Sequence, residues 1–244
     1  MELIFPLRRV SVKAAILDLD GTMVDTLGDF EVALNRALGD LDLPPVTRAW
    51  VERTVGKGSE HLIRSVLAHQ LALPEVKGLA NVCEARGADN LYEAAWLRYQ
   101  HHYLAINGEF AAVYDGVTQA LQQWRDAGVQ LACLTNKPLS FAKPLLQAKG
   151  LDHFFSHVFG GDSFERKKPD PLPLLKTCEA LGTRPTHTLM VGDSSNDAQA
   201  ARAAGCPVVL VRYGYNHGEP VDEVDADGHV DALTHIQRAF ASKA

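Results

Sequence analysis

The segment Lys13 to Thr26, KAAILDLDGTMVDT, constrains this chain more than any other. A short apolar run, Ala14 to Leu17, ends in Asp18, Leu19 and Asp20, and Gly21 and Thr22 then turn the chain. The run reads as a strand that brings two carboxylates to its C-terminal end. Side chains alternate along a strand, so Asp18 and Asp20 start on the same side. Gly21 lets the backbone leave the strand in a conformation that a side chain would hinder. Two acids at the open end of a buried strand repel each other unless something positive joins them.

After this strand the apolar period becomes helical. With Thr26 as N-cap, Leu27, Phe30, Leu34 and Leu38 recur up to Gly39. Thr47 caps a short helix carrying Trp50 and Val51, and Val55-Gly56-Lys57-Gly58 is a flexible loop. Ser59 opens a helix with Leu62, Ile63, Val66 and Leu67 as its stripe. A further helix from about Asp89 to Ile106 carries Tyr92, Trp96, Tyr99 and Tyr103 at spacings of three and four, an aromatic stripe read as core. No strand is expected between Leu27 and Phe110.

From Tyr114 strands and helices alternate. Asp115 is expected to cap a helix ending at Gly128, and Val129 to Leu134 reads as a strand closed by Thr135-Asn136-Lys137-Pro138. A helix from Ser140 to Gly150, a strand at His157 to Phe159 and a helix from Asp170-Pro171 follow. Thr188 to Val191 is a strand closed by Gly192-Asp193, succeeded by an Ala-rich helix ending at Gly205. Pro207 to Val211 is another strand, and Ala232 to Phe240 a terminal helix. Repeated strand–helix units predict an α/β fold, a parallel sheet with helices on both faces. The helical block lies inside it in sequence. The expected division is therefore a core of residues 1–26 and 111–244 with an inserted all-helical cap, 27–110.

Composition narrows the function classes. With 46% apolar and 22% charged residues, the 244-residue chain can bury a substantial core. A net charge of −6 gives no nucleic-acid footprint, so an anionic ligand must be attracted locally. Cys83, Cys133, Cys178 and Cys206 form no C-x-x-C pair, which points away from a zinc cluster or disulfide framework and toward a reducing cytoplasm. Arg8, Arg9 and Lys13 precede an apolar run too short for a signal peptide, and no run approaches the roughly 20 residues of a membrane span. His153 and His157 lack helical ligand geometry, His101-His102 reads as surface, and Asp222, Glu223, Asp225 and Asp227 read as a solvated acidic loop. Nothing in the sequence fixes an oligomeric state.

Ligands of open parallel sheets bind outside the C-terminal strand ends. Four such ends or following loops carry reactive groups: Asp18/Asp20, Thr135/Asn136, Lys168 and Asp193/Asp197. Alone, each has a bland reading as a surface turn, a strand-end hydroxyl, a solvated lysine or a helix cap. Together they make a phosphate site. A phosphate dianion approaches carboxylates only when compensated, and Mg²⁺ on carboxylate oxygens supplies that compensation. A lysine adds fixed positive charge, a carboxylate can take the phosphoryl group, and a second acid can move the proton.

Asp18-Leu19-Asp20-Gly21-Thr22, Leu134-Thr135-Asn136, Lys168-Pro169 and Gly192-Asp193-Ser194-Ser195-Asn196-Asp197 resemble, in order, the four signature motifs of the haloacid dehalogenase-like hydrolases. The resemblance implies a Rossmann-like core with a helical cap, Asp18 as nucleophile and Asp20 as general acid/base. It also implies Mg²⁺ on the Asp18 carboxylate, the Asp20 carbonyl and Asp193, phosphate held by Thr135 and Lys168, and Asp197 supporting the metal or orienting Lys168. Val55-Gly56-Lys57-Gly58, the Lys168-to-Leu175 stretch and Tyr213-Gly214-Tyr215-Asn216 are further similar to bacterial phosphoglycolate phosphatases, which implies a small phosphorylated metabolite as substrate. Lys57 departs from the family's Val-Gly-Asn-Gly loop; it is either a tolerated loop residue or a contact for a substrate carboxylate. A sugar-phosphate phosphatase or β-phosphoglucomutase shares these strand-end motifs, and a phospho-accepting signalling domain shares the acid, Thr and Lys chemistry.

Overall fold

The computed structural model describes residues 2–5, 8–74, 76 and 88–239. Its chain opens with a hairpin absent from the sequence reading, β1 (Glu2–Phe5) against β2 (Arg8–Ser11), antiparallel. Next come β3 (Ala14–Leu17), β4 (Val24–Asp25) and four helices, α1 (Leu27–Gly39), α2 (Arg48–Thr54), α3 (Ser59–Ala72) and α4 (Ala88–Ile106). β5 (Ala112–Val113) begins the alternating part: α5 (Val117–Asp126), β6 (Gln130–Leu134), α6 (Leu139–Ala148), β7 (His157–Phe159), α7 (Leu172–Ala180), β8 (Thr188–Gly192), α8 (Ser195–Ala204), β9 (Val208–Val211) and β10 (Gly228–Val230). The main sheet is six-stranded and parallel, in the order β10-β9-β8-β3-β6-β7.

Alternation along each strand builds two separate apolar layers. Ala15 and Leu17 of β3 face the layer containing Leu131, Cys133, Leu189 and Val191, which packs on α5 and α6 through Leu121, Trp124 and Leu145. Ala14 and Ile16 face the opposite layer with Ala132, Leu134 and Met190, covered by Leu174 of α7 and Ala198 and Ala201 of α8. Both faces of β3 are thus buried, as an apolar run without polar alternation requires. Its C-terminal end is the only part left to do chemistry.

The four helices described between β4 and β5 share a third cluster of their own, with Phe30, Leu34, Leu62, Ile63, Tyr99 and Tyr103 at its centre. Two side chains from elsewhere, Phe141 of α6 and Tyr215, are inserted into it. The chain leaves and re-enters the sheet layer through a short antiparallel ribbon that pairs Val24 with Val113 and Asp25 with Ala112. Asp29 fixes this junction. It is fully buried, and its carboxylate accepts hydrogen bonds from Gly108 N (2.7 Å) and Phe110 N (2.8 Å).

Several local expectations change. Thr26 precedes α1 but makes no capping bond; its hydroxyl donates to Asp20 instead, and Asp25 accepts from Leu27 N. Asp115 does not cap α5, because Gly116 takes the position in a left-handed conformation (φ 78°). The terminal helix is a 3₁₀ segment, Leu233–Ala239, and Phe240 lies outside the described residues. The acidic loop leads into edge strand β10, and three of its carboxylates are paired: Arg202 holds Asp225 and Asp227, and Arg212 holds Asp222. Cys83 also lies outside the described residues.

Replacing Asp29 with Ala strands two backbone N–H groups at the junction. Urea unfolding should then show a stability loss of ~2–4 kcal/mol.

Candidate active site

Strand register brings the acids together. Leu17 is aligned with Cys133 of β6 and Val191 of β8, so the residues that follow all three strands emerge side by side. Asp18 leaves β3 there, its N–H donating to Val191 O and its Oδ1 accepting from Leu19 N at 2.8 Å. The Lys168 ammonium reaches this point from the loop before α7. It lies 3.0 Å from Asp18 Oδ1, and donates to Asp197 Oδ1 at 2.7 Å and to Leu134 O at 2.9 Å. The Lys168 side chain is 1% exposed, so the charge sits in a low-dielectric setting where it acts strongly.

Each remaining acid has its own support. Asp193 Oδ1 accepts from the Thr22 hydroxyl (2.8 Å) and Oδ2 from Tyr215 N (2.7 Å). The Oδ2 of Asp197 accepts from Asp193 N and Ser194 N, both at 3.2 Å, and from the Ser194 hydroxyl at 2.9 Å. Asp193 is packed so closely that a Cβ on Gly21, which sits at φ 79°, would lie 2.2 Å from its Oδ2, and one on Gly214 would lie 2.2 Å from its Cβ. These two glycines admit the acid. Asp18, Asp193 and Asp197 present carboxylate oxygens within 4.8 Å of one another, the spacing of a metal-holding cluster.

Burial sets the electrostatics. It raises the Asp18 carboxyl to about 7, helped by the charges of Asp197 and Asp20 and opposed by Lys168 and the Leu19 N–H. Burial also pushes Asp193 well above its usual range, with Asp197 and Asp18 adding to it. For Lys168 burial pulls the other way, and the Asp18 and Asp197 carboxylates overcome it and raise its pKa. Four carboxylates (Asp18, Asp20, Asp193, Asp197) face two ammonium groups (Lys137, Lys168), an excess of two negative charges. A divalent cation with oxygen ligands fits that excess and that donor set.

Asp20 turns a different way. Its carboxylate accepts from the Thr26 hydroxyl (2.8 Å) and from the Lys137 ammonium, at 2.8 Å to Oδ1 and 3.1 Å to Oδ2. Sequence reading passed over Lys137 as one letter of a motif. Its side chain is 1% exposed, over the rings of Phe30 (4.3 Å) and Tyr103 (4.7 Å) from the helical block. Thr22 and Tyr215, the supports of Asp193, were also passed over as site residues, although both stand in quoted motifs. Thr135 is buried beside Lys137, whose N–H it accepts at 3.2 Å.

The loop before α3 closes the site. Gly56 O accepts from Asn136 Nδ2 (3.1 Å) and from Asn196 Nδ2 (3.2 Å), and Asn136 also donates to Lys168 O (2.8 Å). The Asn136 amide therefore joins helical block, β6 loop and Lys168 loop. Lys57, next in the same loop, is exposed and is not among the residues lining the cavity over the acids. That cavity, bounded by Asp18, Asp20, Thr135, Lys137, Ser59 and Leu62 among others, holds about 20 Å³. A groove of about 390 Å³ adjoins it, walled by Tyr92, Trp96, Phe141 and Lys167.

Fold and site together define a hydrolase of phosphoric monoesters. The chain belongs to the haloacid dehalogenase-like hydrolases, whose family model matches residues 12–205. It is 38% identical over 229 residues to a phosphoglycolate phosphatase of Thiobacillus denitrificans, covering 94% of each chain. It is 39% identical over 229 residues to a phosphoglycolate phosphatase of Nitrosospira multiformis, again covering 94% of each. The crystal structure of a predicted phosphoglycolate phosphatase from Haemophilus somnus matches with a TM-score of 0.86 at 31% identity, over 94% of this chain and 98% of that one. Among the described residues no helix is long and apolar enough to cross a membrane.

Removing the Lys168 charge leaves Asp18 and Asp197 buried against each other. With chelator present, Lys168→Met should lower stability by about 3–5 kcal/mol in urea unfolding.

Proposed function

We propose that this protein is a Mg²⁺-dependent phosphatase that converts 2-phosphoglycolate to glycolate and inorganic phosphate. The observation that carries this reading is the division of two acids on one strand end: Asp18 against Lys168, and Asp20 apart from it against Thr26 and Lys137. The relatives' activity supports the substrate.

In this reading Asp18 is the nucleophile. Its free carboxylate oxygen attacks phosphorus, the ester P–O bond breaks, and Asp20 gives its proton to the leaving oxygen. Asp20 then takes a proton from water, the water oxygen attacks the phosphorus of the aspartyl-phosphate, and phosphate leaves with the Asp18 carboxylate restored. Lys168, the Thr135 hydroxyl and neighbouring backbone N–H groups hold the phosphoryl oxygens, with Asn136 fixing the loop that presents them. Asp197 orients Lys168 and supports Asp193. A Mg²⁺ held by Asp18, the Asp20 carbonyl and Asp193 would neutralise phosphoryl charge and supply Lewis-acid polarisation.

Residues 27–110 act as the cap on a core of 1–26 and 111–244. In this reading the cap opens to admit the organic phosphate and closes over it, which excludes bulk water from the reacting groups. The adjoining groove, continuous with Gly58, Ser59 and Asn136, is the route in. Buried free thiols at Cys133, Cys178 and Cys206 suit a reducing cytoplasm.

The test is phosphate release from a panel of small monoesters that includes 2-phosphoglycolate and sugar phosphates, with Mg²⁺ and with chelator. Steady multiple turnover on 2-phosphoglycolate is expected; sugar isomerisation without net phosphate release would instead mark a mutase. Asp18→Asn should abolish turnover, and full activity in that variant would refute the mechanism. Asp20→Asn should lower kcat by about 10²–10⁴.

Metal binding should be proton-linked. Because the metal-free Asp18 carboxyl titrates near 7, a cation binding below that pH must displace its proton. Apparent Mg²⁺ affinity should fall as pH drops from 8 to 6, with calorimetry in buffers of different ionisation enthalpy showing proton release. The raised carboxyl also makes ionisation costly only in the folded state. Metal-free stability should therefore decline as pH rises from the unfolded value, 3.8, through about 7. At pH 8, Mg²⁺ at a hundredfold excess over Kd should raise Tm by about 5–10 °C.

A further inference from the structure

We infer that Lys137 is the specificity-determining residue for this reaction: its ammonium binds the carboxylate of the leaving group, facing the first turn of α3 across the cavity. The inference rests on the phosphatase reading above and assigns the part of the substrate that reading leaves unheld. Asp18, Thr135 and Lys168 account for the phosphoryl group and Asp20 for the leaving oxygen. The carbon attached to that oxygen must then extend past Asp20. A carboxylate on that carbon carries a further negative charge toward the Asp20 side of the cavity, where another acid already sits. Only a cation placed there makes a carboxylated ester acceptable.

Lys137 is that cation. It lines the cavity together with Asp18, Asp20 and Ser59. Its ammonium lies 2.8 Å from Asp20 Oδ1 and 3.1 Å from Asp20 Oδ2, so one carboxylate takes its polar contacts and a donor remains for another anion. The rings of Phe30 and Tyr103 hold the head group at 4.3 and 4.7 Å from their centres, so its position depends on the closed cap. The Tyr103 hydroxyl is buried and has no hydrogen-bond partner among the described residues. On the cap side, α3 begins at Ser59, which is 4% exposed, and its preceding residue, Gly58, provides no side-chain cap. The N–H groups of its first turn have no intrahelical acceptor and carry the positive end of a 14-residue helix. A carboxylate between the core ammonium and this cap helix satisfies both and ties closure to recognition. An uncarboxylated ester would lack that tie. Lys57, exposed on the same loop, is not needed for this contact.

A lysine that served only to neutralise Asp20 would affect every phosphate ester alike, which gives the test. Steady-state kinetics at saturating Mg²⁺ compare 2-phosphoglycolate with ethyl phosphate, which has the same ester carbon without the carboxylate. In Lys137→Met the ratio of the two kcat/KM values should fall on the order of 100-fold, mostly through KM for 2-phosphoglycolate. Lys137→Arg should recover part of it. Should the Met variant not fold, Lys137→Gln keeps a donor and a similar volume and carries the same comparison. An equal loss on both esters would overturn the inference and leave Lys137 to Asp20 alone, with the substrate reading intact. A wild-type enzyme that does not prefer 2-phosphoglycolate to ethyl phosphate would overturn the substrate reading, and the inference with it.

Discussion

The structure depends on gathering four carboxylates at one end of a parallel sheet with only two lysines to balance them. Parallel register makes this unavoidable once β3, β6 and β8 are neighbours, because the residues following each strand emerge together. What prevents mutual repulsion from opening the site is that the four acids are divided among three separate sets of supports. Asp18 and Asp197 lean on Lys168, Asp193 on Thr22 and the Tyr215 N–H, and Asp20 on Thr26 and Lys137. The imbalance is felt at Asp18 and Asp193, where burial and the neighbouring carboxylates disfavour the charged form and raise the carboxyls. A site that is electrostatically unfinished in this way has the charge excess and the oxygen donors that a divalent cation would complete.

The same supports link the helical block to the acids. Phe30 and Tyr103 reach from the block to the Lys137 that holds Asp20. Tyr215, whose N–H steadies Asp193, buries its ring in the block's apolar cluster and takes a hydrogen bond from Thr26 N. Gly56 O is clamped by amides from both the β6 loop and α8. The block therefore sets the surroundings of Asp20 and Asp193 directly, through contacts rather than through distance. The Lys168 loop is tied to the block through the Asn136 amide, while the Lys168 ammonium itself is fixed by Asp18, Asp197 and Leu134 O.

That division explains what could be read from the sequence. The strand ending at Asp18, the glycine turn, the strand–helix alternation and the helical block follow from local periodicity and from residues whose conformational limits act over a few positions. Asp18, Thr135, Lys168, Asp193 and Asp197 were legible because each sits at a strand end or in the loop after one. Lys137 was not, because its significance lies in two aromatic rings more than 30 positions away, Tyr103, read as core, and Phe30, read as one position of a helical period. Tyr215 acts through its backbone N–H, which carries no residue signature. Thr26 and Asp115 were read as helix caps from local preference, but tertiary demands on Thr26 and the left-handed Gly116 decided those positions otherwise. The strands β1, β2 and β10 went unread for a simpler reason. They are short edge or hairpin segments of three or four residues, too brief to show a period.

The two lysines also differ in what their burial achieves. Lys168 is held by two carboxylates and a carbonyl inside the core, so its position is fixed without any ligand. Lys137 is equally buried, yet its polar side-chain contacts are with one carboxylate, and the rest of its surroundings are aromatic faces contributed by the block. An ammonium placed against rings is less completely satisfied than one with a third oxygen acceptor, and it keeps a capacity to bind another anion. The fixed lysine suits a group that every turnover presents, the phosphoryl. The incompletely satisfied one suits the group that distinguishes one phosphate ester from another.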